Sequence, residues 1–137
     1  MVALLGIAIA TTAGLVGCGT SPPRSEPRTV VLDIHYSSFS TSSLTVGAGE
    51  IVRFVVRNHD PIAHELIVGD ETVQDNHERG TEAHHASRPG EISVAPGATA
   101  TTTYTFLARD VSSSPVLFGC HLPGHWAYGM RGTVTVR

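Results

Sequence analysis

From residue 28 onward the chain is written in short segments of period two, and that pattern decides the fold class. Val30, Leu32, Ile34 and Tyr36 alternate with Val31, Asp33 and His35, and Val52, Phe54 and Val56 alternate with Arg53, Val55 and Arg57. Tyr104 and Phe106 alternate with Thr103 and Thr105, and Val134 and Val136 with Thr133, Thr135 and Arg137. Successive side chains of a strand point to opposite faces, so alternation rich in β-branched and aromatic residues marks strands with one buried face. Turn residues fall between them at Gly47-Ala48-Gly49, Asn58-His59-Asp60-Pro61 and Ala95-Pro96-Gly97. Segments near 62–68, 91–95 and 115–120 bring the count to about seven or eight strands. No stretch sustains a long helical period. The expectation is an all-β chain, a two-sheet antiparallel sandwich with Greek-key connections.

One stretch departs from this rhythm. Gly69 to Gly90 is polar, almost free of large apolar residues and long for a connection inside a domain, which marks a functional or mobile insert. A short helix around 71–79 is compatible with it.

The N-terminal end belongs to a different register. Met1 to Ala10 and on through Val16 is apolar and uncharged, too short for a membrane span of about 20 residues and better suited to an export signal. Leu15-Val16-Gly17-Cys18 resembles the lipobox of bacterial lipoproteins, although the run lacks the usual basic start. That resemblance implies a signal peptide over 1–17 and a lipidated Cys18. A flexible tether over 18–27, containing Gly19-Thr20-Ser21-Pro22-Pro23, would then lead to a folded domain over 28–137. The mature chain is expected on the outer face of the cytoplasmic membrane or facing the periplasm, held by its lipid anchor. The formal net charge of -3 leaves no basic field for nucleic acid. A monomer is expected.

Acylation of Cys18 leaves Cys120 without a disulfide partner, and a lone thiol in an oxidising compartment needs protection. Its neighbours suggest what protects it. The run Cys120-His121-Leu122-Pro123-Gly124-His125-Trp126-Ala127-Tyr128-Gly129-Met130 sets a thiolate, an imidazole and a thioether at five-residue steps on one loop. Apart from the initiator, Met130 is the only methionine. With one more imidazole these make the trigonal His₂Cys set with a weak axial Met that suits a blue-copper site. His64 is the best candidate, because it follows a turn and opens an apolar strand. His59, beside Asp60-Pro61 in the turn, is its competitor. His121 adjoins Cys120 in an extended segment and should face away from the metal or hydrogen-bond within the loop.

Phe118-Gly119-Cys120, the Cys-x₄-His-x₄-Met spacing, the closing Gly132-Thr133-Val134-Thr135-Val136 and the Asn58 to His64 segment together resemble the cupredoxins, the plastocyanin/azurin family of small blue-copper proteins. The resemblance covers roughly residues 28–137. It implies one mononuclear type 1 copper held by His64, Cys120, His125 and axial Met130, and a protein that carries single electrons through Cu(I)/Cu(II). It also implies a redox partner that docks on the apolar residues Leu122, Pro123 and Trp126 around His125. For Trp126, packing onto the core beside Tyr128 is an equal alternative. Glu65 departs from the family, in which an Asn often stands at this place and ties the two ligand loops together. Copper delivery, buffering or resistance, with a copper-handling partner, is the other functional reading. The insert supplies His77, Glu78, Glu82, His84 and His85 as a possible second site for Cu(II) or Zn(II), against a solvated loop with incidental histidines. A single small domain with one site lacks the second copper centre of copper oxidases and nitrite reductases, so no enzyme is expected.

Overall fold

Two sheets face each other across an apolar layer in the computed structural model, which describes residues 26–80, 88–111 and 115–137. The expected signal segment, Cys18, Glu82, His84 and His85 lie outside the described residues. The strands are β1 (Arg28–His35), β2 (Ser38–Phe39), β3 (Ser43–Val46), β4 (Ile51–Asn58), β5 (His64–Gly69), β6 (Glu91–Val94), β7 (Thr99–Thr105), β8 (Val116–Gly119) and β9 (Arg131–Val136). One sheet runs β2-β1-β4-β7 and the other β3-β9-β8-β5-β6. Among the described residues no helix is long and apolar enough to cross a membrane.

The sandwich is as expected, but its sheets are mixed rather than antiparallel. β1 lies parallel to β4, from Arg28 opposite Val52 to Ile34 opposite Asn58. β3 lies parallel to β9, from Ser43 opposite Thr133 to Val46 opposite Val136. Adjacent parallel strands need a crossover. Between β1 and β4 the chain makes it by passing through β3 in the facing sheet. Alternation records which face a residue takes and is silent about strand direction.

The alternation itself holds. Leu32 and Ile34 of β1, Val52, Phe54 and Val56 of β4, Leu66 and Val68 of β5, and Phe118 of β8 join Val134 and Val136 of β9 in one buried cluster. Tyr36 is the exception. β1 ends at His35, and Tyr36 adopts a left-handed φ of 52° with its side chain exposed.

The polar insert does hold a helix, α1 (Glu71–Glu78). Asp70 caps it by accepting the Val73 N–H at 3.0 Å, satisfying one of the donors a helix start leaves open. The helix packs against β5 and β8. Gly69 makes room for it: a Cβ there would stand 2.6 Å from Val73 Cβ. The buried residues of the helix are Gln74 and His77. With the core on one face and α1 over the other, all six residues of β5 are buried. His64 therefore starts a strand covered on both sides.

Candidate metal centre

Three of the four expected ligands, His64, Cys120 and His125, meet at one end of the sandwich, where β5 begins, β8 ends and β9 begins. One potential donor atom each from His64, Cys120 and His125 lies within 4.8 Å of the other two, and among the described residues no other set of three or more His, Cys, Asp and Glu groups is so arranged. Cys120 Sγ is 3.2 Å from His125 Nδ1, and the His64 and His125 rings stand 5.0 Å apart, tilted by 38°. His64 and Cys120 are buried, His125 half-buried.

The loop is closed by a set of its own backbone hydrogen bonds. His125 N–H donates to Leu122 O, Tyr128 N–H to Gly124 O, and Met130 N–H to His125 O at 3.0 Å. Cys120 N–H then donates to Met130 O at 3.1 Å, closing the loop on itself. Gly124 and Gly129 take φ of 86° and 96°, a backbone region closed to most side chains, and this allows the successive reversals. Met130 is 1% exposed, so the thioether is withdrawn from water at the loop's closing point.

His64 is oriented from behind by Asp60. Its Nε2 lies 2.9 Å from Asp60 Oδ2. A carboxylate only accepts, so Nε2 carries the proton and Nδ1 keeps its lone pair. His64 Nδ1 is buried without a hydrogen-bond partner, an arrangement that costs free energy unless something electrophilic sits there. Burial pushes the His64 pKa below its ordinary value, against the raising effect of Asp60, which keeps the imidazole neutral and ready to ligate. Burial works to raise the Asp60 carboxyl, but the Ser37 and Tyr36 N–H groups together with His64 outweigh it and hold it low. Burial raises the Cys120 thiol to about 11, against N–H groups of Leu122 and Glu65 that donate to the sulfur; the charge of Glu65 adds to the rise. A buried thiol and two imidazoles, one of them with an orphaned ring nitrogen, form a set that fits copper.

His59 takes no part. It stacks on His35 at 4.3 Å and bonds Asp33 at 2.8 Å on the surface. His121 faces away from the site, as expected, and meets the helix: Nε2 lies 2.7 Å from Gln74 Oε1 and Nδ1 2.9 Å from Glu78 Oε2. Glu65 does by another route what the family Asn does, accepting the His121 N–H at 2.7 Å and so tying the two ligand segments. Trp126 lies across Gly119, stacked on His121 at 4.5 Å and under the Arg131 guanidinium. Tyr128 does not accompany it and is 92% exposed. Leu122 is half-buried and Pro123 exposed beside His125. His77 belongs to the helix packing, its Nδ1 2.8 Å from Val73 O and its Nε2 3.5 Å from Glu91. The other members of the second site, His84 and His85, lie outside the described residues.

Asp60 and Gln74 were not legible as site residues, and Glu78 was read only as part of a possible second site, not as a partner of His121. Asp60 sits inside the sequence Asn58-His59-Asp60-Pro61, where its turn-forming role hides the carboxylate four residues before His64.

A β-sandwich with a buried thiol and two imidazoles gathered at one end defines a small copper protein of the blue-copper type. Residues 29–137 match the model of the copper binding proteins of the plastocyanin/azurin family, and the chain belongs to that family. It is 35% identical over 103 residues to the copper-resistant cuproprotein CopI of Rubrivivax gelatinosus, covering 72% of this chain and 59% of the relative. It is 26% identical over 132 residues to the protein of the same name from Pseudomonas aeruginosa, covering 72% of this chain and 70% of the relative. The chain thus spans about three fifths of the first relative. Among solved structures, auracyanin from Roseiflexus castenholzii superposes with a TM-score of 0.65 at 20% identity, covering 82% of this chain and 99% of that one. Auracyanin A, a blue copper protein from Chloroflexus aurantiacus, gives 0.62 at 22%, covering 82% and 100%. The fold is that of these proteins, and one copper is its cofactor.

Proposed function

We propose that the protein holds copper outside the cytoplasm in a type 1 site and serves copper resistance through it. His64, Cys120, His125 and Met130 would hold the metal. The observation that carries this reading is the buried triad, with its orphaned His64 Nδ1. When bound, copper supplies a one-electron Cu(I)/Cu(II) couple. The chain's own part is to fix the donors through Asp60 and the loop hydrogen bonds, keep water from the thiolate and leave His125 near the surface. The name of the CopI relatives supports resistance as the purpose. Lipidation at Cys18 would keep the domain at the membrane.

The test is the colour. Purified protein with Cu(II) should show an intense visible thiolate-to-copper band that Cys120→Ser abolishes, and a colourless Cu(II) complex would overturn the assignment. Deleting the gene should make cells sensitive to copper, and Cys120→Ser should fail to restore growth. Anchoring predicts that labelled fatty acid enters the wild type and not Cys18→Ala.

Carriage of single electrons to a docked protein is the second reading. It is favoured by the pre-wound loop, which needs little rearrangement between oxidation states, and by Leu122 and Pro123 beside His125. Fast electron self-exchange with slow Cu(I) release to a chelator would support it. The reverse would support copper handling alone.

A further inference from the structure

The Asp60 carboxylate makes three hydrogen bonds, and together they join the copper end to an unusual turn. Oδ1 accepts the Tyr36 N–H at 2.7 Å, and Oδ2 accepts both the Ser37 N–H at 2.7 Å and the His64 ring N–H at 2.9 Å. Tyr36 and Ser37 sit at φ of 52° and 54°, a left-handed pair that non-glycine residues adopt at a cost, and this geometry turns both N–H groups onto one carboxylate. Asp60 N–H in turn donates to Asn58 Oδ1 at 3.0 Å. Asn58 is itself anchored, its amide donating to Ile62 O, Val94 O and Ala95 O. The Asp60 side chain is 9% exposed and that of His64 fully buried. A charged group is therefore held behind one ligand by a rigid frame rather than by solvent.

A neutral backbone carbonyl or a water would orient His64 equally well. A carboxylate does something further. Its charge makes the imidazole a stronger donor through the shared proton and, in a poorly hydrated site, acts on whatever charge sits at Nδ1. The higher oxidation state gains more from a nearby negative charge than the lower one. Resting on the copper-site reading above, we infer that Asp60 is a positioning residue that biases the bound copper toward Cu(II) through His64 Nε2. The bias suits a site that keeps copper in its oxidised form.

The experiment is a redox titration of copper-loaded wild type and Asp60→Asn, with the visible band recorded for both. Asparagine keeps an oxygen acceptor for His64 and removes the charge. The Cu(I):Cu(II) ratio at a fixed applied potential should rise at least tenfold in the variant, which for one electron is about 59 mV. Ser37→Gly is the control for the turn: it keeps the N–H, suits the positive φ and should leave the ratio within twofold of wild type. An Asp60→Asn protein that keeps its band and changes the ratio by less than twofold overturns the inference and leaves the copper site standing. Wild type that never develops the band overturns the site reading instead. Should Asp60→Asn fail to fold, NMR of the diamagnetic Cu(I) wild type decides. A His64 Nε2 proton that is downfield-shifted and slow to exchange supports the Asp60 link, and one that exchanges freely refutes it.

Discussion

At Gly119 the sheet packs directly against Trp126 of the ligand loop, and replacing it with alanine tests how the loop is held. Its backbone does not need glycine, since the positive-φ glycines are elsewhere. On propensity alone, alanine in a strand would be favourable by roughly 0.5–1 kcal/mol. Space reverses the sign. A Cβ would lie 2.3 Å from Trp126 Cζ3, 2.5 Å from Cε3 and 3.3 Å from Met130 O, whereas carbon atoms rest at about 3.5–4.0 Å. The indole must retreat by about 1 Å, yet it is stacked on His121 and covered by Arg131. Overpacking of this kind costs about 1–3 kcal/mol. In a domain of this size each kcal/mol moves the melting temperature by about 4–8 °C. Thermal unfolding of metal-free Gly119→Ala should therefore drop by at least ~4 °C. Because Trp126 lies on the loop, the visible copper band should weaken too. The same substitution in a Trp126→Ala background meets no ring and should cost less than about 0.5 kcal/mol, so the two changes couple strongly in a double-mutant cycle. Equal losses in both backgrounds, or a Gly119→Ala protein as stable as wild type, would refute the packing argument.

Copper uptake should release a proton, because the Cys120 thiol, raised to about 11, is protonated at neutral pH. Chelator competition should show apparent affinity rising about tenfold per pH unit between about pH 7 and pH 9, or 1.4 kcal/mol each, and a flat profile would contradict this. Gln74→Ala removes a buried amide that donates to Ile67 O, Gly69 O and Leu117 O at 3.2–3.4 Å. It should destabilise the fold by about 1–3 kcal/mol in chemical denaturation, and a loss below ~0.5 kcal/mol would show the helix is held otherwise. Asp60 is held below its ordinary value in the folded state. Its contribution to stability is complete above the unfolded-state value of about 3.9 and fades as pH falls through the folded one. Asp60→Asn should accordingly flatten acid unfolding of the metal-free protein below about pH 4.

The residues explain what could be read beforehand. β4 and β9 bury every second residue and β1 does so at Leu32 and Ile34, and their alternation is plain in the text. β3 offers only Leu44 and Val46 in four residues, and its partner β9 is remote in sequence, so no local pattern announces it. The helix α1 buries Gln74 and His77 rather than a hydrophobic stripe. Only its cap, Asp70, and the Gly80 beyond its end mark it. Three of the four proposed ligands could be read beforehand because one loop carries them at fixed spacing. His64 needed the strand reading to be separated from His59. Asp60 and the His121–Gln74 contact join segments that only the tertiary fold brings together.

The placement of β9 bears on how the site is completed. β9 lies between β3 and β8, and its pairing with β3 joins residues about 90 apart in sequence. Pairings this distant carry a larger loop-closure cost than local ones. The backbone bond from Cys120 to Met130 closes the loop at the first residues of that strand. His64 reaches the site from another strand of the same sheet. β5 pairs directly with β8, so what β9 adds to the site is the closed loop and Met130 rather than His64. A metal that binds only the closed arrangement stabilises the docked β9 with it, so the loop and the last strand share one linkage.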